Sequence, residues 1–112
     1  MSEINAEDQK IITLARSSRA RTSASEGAAV RDETGRTYAA TSVGLPSLQL
    51  SALQVAVAMA VASGAEDLEA AALVTAGEPA EADVRAVRDL GPKAPILVAA
   101  PDGTLRHVLT SG

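Results

Sequence analysis

One histidine, His107, no cysteine, and fourteen aspartates and glutamates are what this 112-residue chain offers to catalysis and metal binding. The absence of cysteine excludes disulfides, thiolate metal sites and cysteine nucleophiles. His107 lies on a predicted final strand, far in sequence from the serines and acids it would have to join. It reads as a surface or half-buried strand residue. A Ser–His–Asp arrangement can be assembled on paper, but no nucleophile-elbow pattern fixes its geometry. No GxGxxG and no Walker sequence occurs, so phosphate cradles of those kinds are missing. What remains is a thin polar stripe, Ser47, Ser51 and Gln54, at the start of the apolar stretch PSLQLSALQVAVAMAVASG (46–64). Such groups can hold a small polar ligand, or can simply cap a helix and hydrogen-bond within a core.

The elements that would position this stripe follow from periodicity and punctuation. Ile11, Leu14, Ala15 and Ser18 recur at helical spacing from about Asn5 to Arg21, with Asn5 as cap and Asp8 three residues on. GAAVRDETGRTYAA reads as two strands joined by Asp32-Glu33-Thr34-Gly35, where Gly35 supplies the positive φ of a tight hairpin. TSVGLP is predicted as a loop. A second helix is predicted from a Ser47 cap to a Gly64 stop; it is apolar nearly all round, which marks a buried helix. LEAAALVTA (68–76) reads as a buried strand. Gly77-Glu78-Pro79 opens a third helix with Val84, Val87 and Leu90 inward, ended by Gly91-Pro92. Ile96 to Ala100 and Leu105 to Leu109 form a second hairpin around Pro101-Asp102-Gly103-Thr104. The order α-β-β-α-β-α-β-β predicts a three-layer α-β-α domain: about three helices over a mixed five-stranded sheet. Residues 1–112 read as one such domain, with 1–8 as a lead-in that can be disordered.

Several of these stretches together resemble the cytidine deaminase family. GAAVRDETGRTYAA is similar to its first hairpin, LQLSALQVAVAMAVASG to its zinc-bearing helix with the Cys/His-Ala-Glu motif, EPAEADVRAV to its Pro-Cys-x-x-Cys segment, and APILVAAPDGTL to its closing hairpin. The resemblance runs from about Ile11 to Leu109 and implies the free-nucleoside branch. Zinc deaminases use three Cys/His ligands and a glutamate that relays protons without binding metal. The resemblance places the first ligand position at Ser51, the glutamate at Leu53, and the two cysteines at Ala80 and Asp83. The substrate-holding Asn-x-Glu falls at Ser42-Val43-Gly44, and a stacking Phe near Ala24. Every one of these is replaced, so the resemblance implies a degenerate member with no catalytic residues, no metal and no cofactor.

Three functions are weighed on that basis. The first is a non-catalytic structural or interaction protein on this scaffold. The second is a nucleoside or small-molecule binding module using Ser42, Ser51 and Gln54. The third is an active deaminase or other hydrolase. Aromatics are 1% of the chain against 46% hydrophobic residues, so the core must be built from small aliphatic side chains. Each buried Val or Leu, at ~1.5–3 kcal/mol, then matters more than usual. That shortage, and the family's habit of packing helices against neighbouring subunits, predict a homo-oligomer, a dimer or tetramer. A net charge of −4 and a single aromatic argue against nucleic acid as a partner. The apolar run from Leu48 to Ala62 is too short to cross a bilayer. MSEINAEDQK is acidic and polar where a secretory leader would be basic and then apolar, so a cytoplasmic location is expected.

Overall fold

The computed structural model describes residues 4–110. Of the stretch read as a lead-in, residues 1–3 lie outside the described residues. Ala6 already begins a helix, α1 (Ala6–Thr22). Asn5 caps it: its Oδ1 accepts from the Asp8 backbone N at 2.8 Å. This replaces a bond that the first helical turn cannot make for itself. Ile11, Ile12, Ala15 and Ser18 are its buried face.

The first hairpin forms as the sequence predicts, from β1 (Gly27–Asp32) and β2 (Thr37–Thr41), with Gly35 at φ 88° in the turn. Asp32 organises that turn. Its Oδ1 accepts from Thr34 N, Thr34 Oγ1 and Arg36 N, and its Oδ2 from the Tyr38 hydroxyl at 2.8 Å. Burial alone would raise the pKa of this carboxyl; the bonds from Thr34, Tyr38 and Arg36 outweigh it and hold the value at about 2. Its contribution to stability is therefore present above the ordinary carboxylate range and lost as pH falls towards that value.

Residues 43–50 depart from the sequence reading. They form a second small hairpin, β3 (Val43–Leu45) and β4 (Leu48–Leu50), in a two-stranded sheet of its own. The helix α2 (Ala52–Ala62) starts four residues later than predicted, capped by Ser51 rather than Ser47. The reason is a capping box. Gln54 N donates to Ser51 Oγ at 3.2 Å, and Ser51 N donates to Gln54 Oε1 at 2.9 Å. Ser47 has Leu50 three residues on and can form no such reciprocal pair.

The strand β5 (Leu68–Val74) is followed by α3 (Glu81–Leu90), β6 (Ile96–Ala99) and β7 (Leu105–Leu109). The helix begins two residues beyond Pro79, because Asp83 reaches back to the Ala80 backbone N at 3.2 Å and fixes Ala80 as the cap. The sheet order is β2-β1-β5-β6-β7; β5 and β6 run parallel and the other neighbours antiparallel. Alternate residues feed two cores. Ala28, Val30, Ala71, Leu73, Ile96 and Val98 pack with Leu53, Ala56 and Val87 on the α2 and α3 side. Ala29, Ala70, Ala72, Val74 and Leu97 pack with Ile11, Ile12 and Ala15 of α1 on the other. This is the expected three-layer arrangement around a mixed five-stranded sheet.

The apolar circumference of α2 is only half covered within the single chain. Ala52, Leu53, Ala56, Val57 and Ala60 are buried, but Met59 is 40% and Val61 53% exposed. Sheet and helices within one chain cover only one side of it.

Candidate functional site

The N-termini of α2 and α3 meet at the ends of β1, β2 and β5. Ser51, at the head of α2, donates through Oγ to Asp83 Oδ1 of α3 at 2.6 Å. Asp83 is almost wholly buried, and its second oxygen takes the Ala80 backbone N. Ala80 itself is exposed at the rim. Leu53 is fully buried in the core on the α2 side. Of the four positions that the resemblance singles out, the structure joins Asp83 to Ser51 through the side chains and to Ala80 through its backbone N, and buries Leu53, two residues after Ser51, in the core.

Strand register brings further polar groups to the same corner. Gly27 pairs with Val74 and with Thr41, so Glu26, Thr75 and Ser42 all lie just beyond the same end of the sheet, with the Thr75 side chain within reach of Glu26. Val43 pairs with Leu50, so Ser42 and Ser51 lie just beyond the same end of the small hairpin. Ser42 is exposed. Thr75 is buried, and its Oγ1 accepts from Gly77 N at 3.1 Å. Burial and the nearby Asp83 charge raise the Glu26 pKa above its ordinary 4.5, with the Thr75 hydroxyl acting in the opposite direction. Sequence reasoning missed Glu26 and Thr75. Their only signal was position: Glu26 directly precedes the Gly-Ala-Ala run, and Thr75 follows the last residue of β5.

Glu26 gives a pH prediction. A carboxyl with a raised folded-state pKa contributes its stability below the unfolded value and loses it as pH rises through the folded one. Ionised Glu26 thus weakens the fold at neutral pH. Glu26→Gln is expected to raise the melting temperature by a few degrees at pH 7, with the gap closing as pH falls below about 4.5. Melting curves of both proteins across that range check it; a gap independent of pH would contradict it.

His107 is elsewhere. Its Nε2 meets Glu78 Oε1 at 2.6 Å, and Glu78 Oε2 accepts from Arg106 Nη2 at 2.6 Å. Arg106 Nη1 also donates to the Gly77 carbonyl. The edge strand β7 thereby pins the 77–79 turn that leads into Ala80. The hydrogen bond His107 makes is to this turn and not to a serine.

Chemically the corner offers two hydroxyls in contact with buried surroundings, one buried carboxylate engaged in two hydrogen bonds, and one partly buried carboxyl. Ser51 and Gln54, read from the sequence as ligand contacts, spend their side chains on the capping box and on Asp83. Among the described residues, no group of three or more His, Cys, Asp or Glu side chains is placed to hold a metal ion. Two surface cavities lie away from this corner. One, of about 200 Å³, is lined by Ile4, Asn5, Asp8, Pro95, Leu97, Leu105 and Val108. The other, of about 490 Å³, lies by Glu66, Asp67, Asp89 and Lys93.

One helix on one face of the sheet and two on the other define a three-layer α/β domain, with a polar corner where two helix N-termini meet three strand ends. The family profile described as "Cytidine deaminase-like" matches residues 4–103, and the chain belongs to that family. Solved structures agree on the fold. A cytidine deaminase from Burkholderia pseudomallei superimposes with a TM-score of 0.80 at 21% identity, over 96% of this chain and 93% of that one. The cytidine deaminase from Mycobacterium leprae gives 0.70 at 20% identity, over 96% and 94%. A mutant of the Mycobacterium tuberculosis cytidine deaminase gives 0.69 at 20% identity, over 94% and 92%. A search of curated proteins returns no match. Among the described residues, no helix is long and apolar enough to cross a membrane.

Proposed function

We propose that this protein is a non-catalytic member of the cytidine deaminase-like family, a structural or interaction subunit that assembles with copies of itself. The observation that carries the reading is the Ser51–Asp83 hydrogen bond at 2.6 Å. The positions that the resemblance assigns to the family's metal ligands, Ser51, Ala80 and Asp83, are linked through Asp83, and they bring one hydroxyl, one methyl and one carboxylate. Structural and catalytic zinc sites draw three or four ligands from thiolate, imidazole and carboxylate groups. The donors here do not fit zinc, and Ser51 and Asp83 already satisfy each other and two backbone amides. Leu53, at the glutamate position, has no proton to relay. Zinc-activated water is how this family's chemistry proceeds; no step of it is assigned to this chain.

Self-association is supported by the surface of the same region. No charged residue occurs between Tyr38 and Ala65. Within that stretch Leu45, Leu48, Met59 and Val61 are exposed, on the β3–β4 hairpin and the outer side of α2. These side chains give self-association an apolar surface to bury. Nucleic acid and membranes are not proposed as partners, and the location proposed is the cytoplasm.

Two measurements test the proposal. In a cytidine deamination assay with zinc supplied, and an active relative as control, turnover is expected to stay at the no-protein background. Turnover above background would overturn the non-catalytic reading. In light scattering at micromolar concentration, the mass is expected to be a multiple of the 11.3 kDa chain. A monodisperse monomer would overturn the subunit reading.

A further inference from the structure

We draw no further inference here: the strongest candidate, the carboxyls of Glu26 and Asp83 beside the Ser51 and Thr75 hydroxyls at the joined N-termini of α2 and α3, is an acidic cluster in which Asp83 hydrogen-bonds to Ser51 and the Ala80 backbone, and no independent observation there points to a ligand.

Discussion

Gly27→Ala is expected to unfold this protein at moderate temperature, or to prevent its accumulation altogether. A Cβ at position 27 would lie 2.0 Å from the Ala15 carbonyl oxygen, 2.9 Å from Arg19 Cβ and 3.0 Å from the Ala15 carbonyl carbon. The nearest of these atoms is helix backbone, which cannot swing aside as the tip of a side chain can. To make room, α1 would have to lift from β1, opening the core built on Ile11, Ile12 and Ala15. Overpacking in a close-packed interior costs ~1–3 kcal/mol and sometimes more. A clash against backbone belongs at the upper end, so ~3 kcal/mol or more is expected. For a domain whose whole stability is ~5–15 kcal/mol this is a large fraction. The melting temperature should fall by more than about 10 °C. Gly44→Ala is the control: nothing lies within 4 Å of its Cβ position, and its effect should stay within ~0.5 kcal/mol. Equal melting temperatures for the two variants would contradict this packing of α1 on β1.

The second large effect is a gain. The triple substitution Ser51→Cys, Ala80→Cys and Asp83→Cys is expected to bind one zinc ion per chain. A tetrahedral zinc with Zn–S bonds of ~2.3 Å holds its thiolates ~3.8 Å apart. Ser51 and Asp83 side chains already touch across the α2–α3 junction, and Ala80 is the cap of the helix that carries Asp83. Without metal the variant should be less stable than the parent by ~2 kcal/mol, because two helix-end hydrogen bonds to Ser51 and Asp83 are lost. Metal binding to the folded state should more than offset that loss. Cobalt in place of zinc should give the intense thiolate-to-metal absorption of a sulfur-ligated site. Adding Leu53→Glu is expected to cost several kcal/mol, since that side chain is fully buried among apolar neighbours. No cobalt–thiolate signal from a folded triple variant would mean that these three positions do not converge as described.

Much of the architecture was legible because its signals are local. Asn5 with Asp8, the Asp32–Gly35 turn, the apolar run at 68–76 and the Gly103 turn each announce an element through a few adjacent residues, and each element forms there, the strand of the 68–76 run ending at Val74. The 43–50 hairpin was missed because two three-residue strands carry too little alternation to be told from a loop, and Pro46 masked the pairing of Leu45 with Leu48. Ser47 and Ser51 both offer a cap side chain, and Gln54 decides between them. The Ser-x-x-Gln box was present in the sequence and would have placed the start of α2 correctly.

The site divides along the same line. The resemblance singles out Ser51 and Asp83, and the fold brings these two into contact. Glu26 and Thr75 were not found, because what makes them neighbours is the pairing of strands more than forty residues apart, which no window of sequence contains. The outer side of α2 is a different matter. Composition says that a helix is apolar all round, but not which neighbours the single chain has available to cover it. Met59 and Val61 remain exposed, and their cover must come from outside the chain or not at all.

The most direct test is the zinc content of the protein purified without chelators from zinc-supplemented medium, measured by atomic emission. A non-catalytic scaffold predicts zinc far below stoichiometry, unchanged when Asp83 is replaced by Asn. One zinc per chain, lost on Asp83→Asn, would contradict it.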